Sequence, residues 1–260
     1  MKFERLLIEA SLKAGEEILK IYAQDFDVET KSDESPLTQA DKNAHLAIVS
    51  FLEQTGLPIL SEEGKHMDFS ERKSWNEFWL VDPLDGTKEF VKKNGEFTVN
   101  IALIENGLPV YGIIYAPVLE KLFVGNVGTE AWVANDVVPS TSIDEIHAKK
   151  ISIPIAKPAH PYIVVASRSH FSDETKTFVD QLKAEKGEVD FASMGSSLKI
   201  CLVAEGKADI YPRFGPTMEW DTGAGHAIAK AAGKMVTDHT TDAEMRYNKE
   251  SLLNNWFIVK

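Results

Sequence analysis

Four acidic side chains in three separated segments constrain this chain more than any other feature. Glu62 closes Leu60-Ser61-Glu62-Glu63-Gly64, Asp82 and Asp85 follow Trp79-Leu80-Val81, and Asp221 lies in Glu219-Trp220-Asp221-Thr222-Gly223-Ala224-Gly225-His226. Each either ends an apolar run that reads as a strand or opens a helix, so the backbone fixes where its oxygens point. Folding must then bring distant acids together. Carboxylates with no Cys or His directly beside them favour Mg²⁺ or Mn²⁺ over zinc. Such ions commonly act in clusters that move phosphoryl groups onto water.

The rest of the chain supplies a frame for them. Phe3, Leu6, Leu7, Ala10, Ala14, Ile18, Ile21 and Tyr22 recur at helical spacing and predict an amphipathic first helix. Thr38-Gln39-Ala40-Asp41 fits a capping box and predicts a second helix from Thr38 through Ala44, Ile48 and Leu52. Ile59 to Ser61 and Phe78 to Val81 read as buried strands that deliver Glu62 and Asp82. Alternation from Phe97 to Leu103, then Asn106-Gly107, then Val110 to Tyr115 is a strong hairpin signal. Short strands at Leu122 to Val124 and Ala131 to Val133 extend an antiparallel sheet.

Pro154, Pro158 and Pro161 predict a seam that divides an amino-terminal α+β part, 1–153, from a carboxy-terminal α/β part, 154–260. Beyond the seam strands and helices take turns. A strand is expected at Ile163 to Ala166 and a Ser172-capped helix to about Lys186. A helix from Ser196 to Glu205, a strand at Ala208 to Tyr211 and a helix from Asp221 to Ala232 follow, with Gly206 and Gly233 as stops.

Composition removes several function classes. At 260 residues and 43% hydrophobic the chain can bury a real core. A net charge of −12 argues against nucleic-acid polymers, whose binding needs many Lys and Arg contacts to phosphate. A small anion remains acceptable where bound metal and a few basic residues supply local positive charge. No run of about 18 apolar residues predicts a transmembrane segment, and the charged start Met1-Lys2-Phe3-Glu4-Arg5 is unlike a signal peptide, so a cytoplasmic location is expected. Peripheral attachment to the inner membrane face and a homodimer are left open. The single cysteine, Cys201, reads as a packed small hydrophobe; Lys207 stands where a cysteine phosphatase needs Arg. Two residues separate Asp82 from Asp85, unlike the Asp-x-Asp of aspartyl-phosphate enzymes, and Gly233-Lys234-Met235 is no P-loop.

Asp82-Pro83-Leu84-Asp85-Gly86-Thr87, with Trp220-Asp221 and the preceding Glu62-Glu63, resembles the signature set of the Mg²⁺-dependent inositol monophosphatase superfamily nearly end to end. Lys31 to Asp41, Gly86 to Phe90, Gly95 to Asn100, Ser167-Arg168-Ser169-His170 and Gly195 to Lys199 are similar to its CysQ-type 3'(2'),5'-bisphosphate nucleotidases. Inositol phosphatases more often carry Asn where this chain has Glu89. One departure is Gly223, where relatives commonly show Ala. The resemblance implies a layered α/β/α/β/α sandwich of the inositol monophosphatase and fructose-1,6-bisphosphatase type, α+β in class, with the site between its two parts.

Two or three Mg²⁺ ions are expected on Glu62, Asp82, Asp85, Asp221 and the Leu84 carbonyl. Four carboxylates at −4 balance two Mg²⁺ at +4, and without metal they should repel and lift at least one pKa. The turn Asp82-Pro83-Leu84-Asp85 also has a purely structural reading as an Asx-type turn, and Asp221 has one as a helix N-cap. The expected reaction is attack by a metal-activated water on the 3'-phosphate of 3'-phosphoadenosine 5'-phosphate, giving AMP and phosphate. The 5'-phosphosulfate is a candidate second substrate. Thr87 with Asp41 or Glu62 would orient and deprotonate the water, the resemblance favouring Asp41; Asp41 otherwise reads as part of the capping box. Substrate contacts are expected from Leu84, Asp85, Gly86, Thr87, His170, Ser196, Lys199, Arg213 and Asp221, with Lys31 and Lys88 as weaker candidates. Two alternatives stand beside this one: an inositol or sugar phosphatase on the same scaffold, and a non-catalytic metal- or nucleotide-binding protein.

Overall fold

The computed structural model describes residues 3–24, 36–156, 161–166 and 172–260. Helix α1 (Glu4–Tyr22) buries Leu7, Ala10, Ala14 and Ile18, the stripe its periodicity predicts. Helix α2 (Pro36–Leu52) is already helical at Pro36, so Thr38 is a residue of the helix rather than its cap. A proline suits a first turn because it lacks an N–H that would have no partner there and its φ is preset. The expected capping role of Thr38 and Asp41 is thereby corrected.

Seven strands then form one sheet among the described residues: β1 (Ile59–Ser61), β2 (Glu77–Asp85), β3 (Thr98–Glu105), β4 (Leu108–Ala116), β5 (Lys121–Asn126), β6 (Glu130–Ala134) and β7 (Ile151–Ser152). They neighbour one another in chain order. β1 and β2 run parallel, and the remaining pairs are antiparallel. Three short helices punctuate the sheet: α3 (Phe69–Arg72) precedes β2, α4 (Thr87–Val91) follows it, and α5 (Ile143–Ala148) precedes β7. Asn106 and Gly107 both take left-handed conformations, φ 52 and 77, which is what the predicted two-residue hairpin requires.

Because strand side chains alternate between faces, the sheet makes two cores. Trp79, Val81, Val99, Ile101 and Ile113 pack with α1 and α2. Phe78, Leu80, Ala102, Ile104 and Phe123 face the other way, onto the carboxy-terminal elements.

Those elements are β8 (Tyr162–Val165), α6 (Asp173–Lys186), β9 (Val189–Ala192), α7 (Leu198–Ala204), β10 (Tyr211–Arg213), α8 (Glu219–Ala231), β11 (Val236–Asp238) and β12 (Phe257–Val259). The Ser172 hydroxyl caps α6 by accepting the Thr175 N–H, as predicted. Helix α8 lies under the large sheet with α7 packed beside it; β10, β12 and β11 form a second sheet, joined to the parallel pair β8 and β9 by a Val164–Ile210 bridge. α6 covers that pair through Val179 and Leu182. The layers therefore run helix, sheet, helix, sheet, helix.

α8 approaches the sheet closely because Gly112 and Gly125 face it. A Cβ at Gly125 would lie 2.4 Å from Ile228 Cα, and one at Gly112 would lie 2.3 Å from the Ala224 carbonyl oxygen. Further boundaries near the cleft also differ from the sequence reading. α7 starts at Leu198 because Ser196 has φ 44, a left-handed conformation no right-handed helix contains. α8 starts at Glu219, two residues before Asp221. Regular pairing of β10 begins at Tyr211, since Ala208 is still turning out of α7 with its N–H on the Leu202 carbonyl.

Candidate active site

β1 and β2 are parallel and in register through Ser61 and Val81, and the Glu62 N–H donates to the Val81 carbonyl at 3.1 Å. Glu62 therefore emerges beside Asp82. Asp82 is the last residue of β2 in unbroken register with β3, and a bulge separates it from Asp85. Its Oδ1 accepts the Leu84 N–H at 3.1 Å, an Asx-type contact set inside a strand, and the residue is only 1% exposed. Pro83, with no N–H to give a ladder, suits the interruption.

Asp221 is the third residue of α8, not its N-cap. Its Oδ2 accepts the Met218 N–H at 2.8 Å, so one oxygen serves the helix end, where negative charge is favoured. One oxygen from each of Glu62, Asp82 and Asp221 lies within 4.8 Å of the others. Three carboxylates at that spacing, with no sulfur or nitrogen donor among them, fit a hard divalent cation.

Asp85 was expected as an equal member of this cluster, but among the described residues it stands outside that group of three. Its Oδ2 accepts the Ser197 N–H at 2.6 Å and the Asn100 amide at 3.4 Å. Asn100 is itself held by Thr98 and Ser197, whose hydroxyls both donate to its Oδ1 at 2.9 Å. Asp85 thus ties the carboxylates to the start of α7. The Leu84 side chain is buried in the core with α1 and α2, which leaves its main-chain carbonyl as the oxygen it could offer. Thr87 is exposed as the first residue of α4, after Gly86 at φ 101.

Repulsion was expected to lift these carboxyls, and burial contributes more to the shifts than repulsion does. In the protein chain itself, burial first and neighbouring acids second hold the Asp82 carboxyl well above its ordinary range. The same causes push Asp221 up to about 8 and Glu62 up to about 7. Asp41 is pushed up to about 8 by burial and then by Glu63 and Glu62, which places it next to the cluster. Burial also raises Asp85, against the pull of Lys199 and the Ser197 N–H.

A cleft of about 150 Å³ opens beside the acids. Of the residues expected to touch substrate, Asp85, Gly86, Ser196, Lys199, Arg213 and Asp221 line it, as does Lys88. The Lys199 ammonium donates to the Met194 carbonyl at 3.3 Å, and the Arg213 guanidinium donates to the Pro216 carbonyl at 2.9 Å. Burial, then the Arg213 charge against the pull of Asp85, lowers the Lys199 pKa. His170 and Lys31 lie outside the described residues.

Glu89, Ser197, Tyr211, Thr217, Thr222 and Phe257 also line the cleft without having been assigned to it. Tyr211 ended an expected strand and so carried a weak signal. Phe257, near the end of the chain, carried none.

Comparison with known proteins follows the same lines. The model of the Inositol monophosphatase family matches residues 2–256. The chain is 47% identical over 250 residues to the 3'(2'),5'-bisphosphate nucleotidase CysQ of Salmonella typhimurium, covering 95% of this chain and 94% of that one. It is 46% identical to the protein of the same name from Escherichia coli K12, with the same coverage. Among solved structures, CysQ from Bacteroides thetaiotaomicron, a bacterial member of the inositol monophosphatase family, superposes with a TM-score of 0.91 at 53% identity, covering 98% of this chain and 95% of that one. An inositol monophosphatase from Zymomonas mobilis, at 24% identity and a TM-score of 0.72 over 100% of this chain and 93% of that one, shares the fold.

Proposed function

This chain belongs to the inositol monophosphatase family, and from that premise we propose that it removes the 3'-phosphate of 3'-phosphoadenosine 5'-phosphate, with the 5'-phosphosulfate as a second substrate. It is an enzyme, a phosphoric monoester hydrolase of the 3'(2'),5'-bisphosphate nucleotidase type. The observation that carries the substrate reading is a cleft in which Lys199 and Arg213 face Asp85 and Asp221 beside the carboxylate cluster.

Glu62, Asp82 and Asp221, with Asp85 and the Leu84 carbonyl next to them, would hold two or three Mg²⁺ ions. When bound, such ions supply the charge that offsets a phosphate ester and makes water acidic enough to react near neutral pH. The Thr87 hydroxyl orients the attacking water, and the Asp41 carboxylate takes its proton. Lys199 and Arg213 receive the second phosphate as charge-assisted donors, a task Arg performs through its planar fork. The water oxygen bonds to phosphorus as the bond from phosphorus to the 3'-oxygen breaks, the 3'-oxygen takes a proton from solvent, and AMP and inorganic phosphate leave.

Among the described residues no helix is long and apolar enough to cross a membrane, which is compatible with a cytoplasmic enzyme. The division at 153/154 is supported by the large sheet, whose last strand ends at Ser152, while among the described residues every later strand joins another sheet.

The test is phosphate release from 3'-phosphoadenosine 5'-phosphate and from inositol 1-phosphate, with and without Mg²⁺. Mg²⁺-dependent turnover that strongly favours the nucleotide is expected. Equal or greater turnover of inositol 1-phosphate would replace the substrate assignment, and turnover unaffected by a chelator would remove the mechanism.

A further inference from the structure

Glu219 is a buried carboxylate, 0% exposed, that the proposed chemistry does not use. It stands two residues before Asp221, and among the described residues its carboxylate accepts hydrogen bonds from one distant segment. Its Oε2 accepts the Asn248 N–H at 2.7 Å; its Oε1 accepts the Lys249 N–H at 3.0 Å and the Lys249 ammonium at 2.6 Å.

The opposite side of that segment is gripped by Arg72, ten residues after Glu62. The Arg72 guanidinium donates to Asn248 Oδ1 at 2.9 Å, to the Lys249 carbonyl at 2.6 Å and to the Glu250 carbonyl at 2.9 Å. The Asn248 amide returns a bond to the Arg72 carbonyl at 2.8 Å.

Residues 248–250 are thus a clamp with one jaw on the segment that follows Glu62 and the other on the first turn of α8, which carries Asp221. The clamp has work to do. Glu62, Asp82 and Asp221 repel one another across less than 4.8 Å, and nothing in Coulomb's law keeps a helix end from retreating unless other contacts hold it.

We infer that Glu219 and Arg72, acting through residues 248–250, are positioning residues that hold Asp221 against Glu62 at the separation a divalent cation needs. Neither belongs to the carboxylate cluster itself. The inference rests on the metal reading of the cluster; groups bonded directly to metal ligands typically change affinity about 10- to 100-fold, and Glu219 and Arg72 act one step further out, through the backbone that carries the ligands.

Mn²⁺ binding to the full chain, followed by its paramagnetic resonance signal, separates the possibilities. Glu219→Gln turns an amide toward donors that need an acceptor, and it is expected to weaken Mn²⁺ binding about 10- to 100-fold. Turnover should recover substantially at saturating Mg²⁺. Asn248→Ala, a milder cut that spares the main-chain bonds to Glu219, should weaken binding in the same direction and stands in should Glu219→Gln fail to fold.

Tyr115→Phe serves as the control. It removes a buried hydrogen bond to the Val137 carbonyl remote from the site, and it should lower the melting temperature without changing Mn²⁺ affinity. If both clamp variants melt earlier yet bind Mn²⁺ as tightly as the unaltered chain, the clamp is merely structural and the inference falls. If the unaltered chain binds no Mn²⁺, the metal reading falls first.

Discussion

At the scale of residues, the carboxylates work against the fold that carries them. Asp82 is buried among like charges, so neutralising it should stabilise the chain by itself while disabling the site, a trade familiar at functional centres. In a chelator at pH 8, Asp82→Asn is expected to melt above the unaltered chain, and its Mg²⁺-supported turnover is expected to drop by at least about 100-fold, the upper end for loss of an outer partner. Calorimetry and phosphate release check the two halves independently. Asp41 offers a sharper contrast, because α2 begins at Pro36 and Thr38 is a residue of the helix rather than its N-cap. Asp41→Ala should therefore lose activity without losing the roughly 1 kcal/mol that removal of a helix cap costs, as measured by urea unfolding in chelator. A loss of that size with turnover intact would return Asp41 to a structural role.

At the scale of elements, the placement of α8 decides whether Asp221 reaches its partners. Gly125 admits the Ile228 backbone, and the three atoms nearest a methyl group there are all main chain. Gly125→Ala is expected to cost about 1–3 kcal/mol by overpacking and to weaken Mn²⁺ binding as well, because α8 retreats with Asp221 on it. Unchanged affinity in the folded variant would show that α8 accommodates the methyl group elsewhere. Gly223 is gentler: a Cβ would meet Leu80 Cδ2 at 2.8 Å, the movable end of a side chain, so the departure from the Ala of relatives alters packing little.

Local chemistry alone made several elements legible, among them the Asn106-Gly107 hairpin, the Ser172 cap and the buried stripe of α1. The start of α7 was not legible. The left-handed Ser196 follows Gly195, whose Cβ would strike Glu89 and the Glu96 carbonyl at 2.6 Å, and it precedes the Ser197 N–H that meets Asp85. Contacts across 112 residues set that backbone, and no neighbour in sequence announces them.

At the scale of the whole molecule, the raised carboxylate pKa values become a pH dependence of stability. An acid whose pKa is higher folded than unfolded binds more protons in the folded state between those values, so stability falls as pH rises through the interval. For Asp41 and Asp221 the interval runs from 3.8 to about 8, and for Glu62 from 4.5 to about 7. Glu244 acts in the other direction, held down to about 2 chiefly by His226 and then Lys230, but its effect is complete above 4.5. His45 and His226, both lowered from 6.5 by burial, oppose this trend below that pH. The melting temperature in chelator is therefore expected to fall from about pH 6.5 to about pH 8, where the acids alone act, and Mg²⁺ should reverse the trend by favouring the ionised acids. A flat profile in chelator would mean that the carboxylates are better solvated than their burial implies.

Sequence by itself determined which side chains could ligate a hard cation, that strands and a helix would present them, and which family the chain resembles, because residue chemistry and hydrophobic periodicity are local properties. It also carried Lys199 and Arg213 as candidates through motif context. Only the tertiary structure decided that Glu62, Asp82 and Asp221 converge while Asp85 turns to Ser197 and Asn100, that Asp221 holds the third place in its helix, and that residues 248–250 bind both Glu219 and Arg72. Those outcomes depend on register, on close helix-to-sheet approach and on hydrogen bonds between segments far apart in the chain, and only packing the whole molecule satisfies them together.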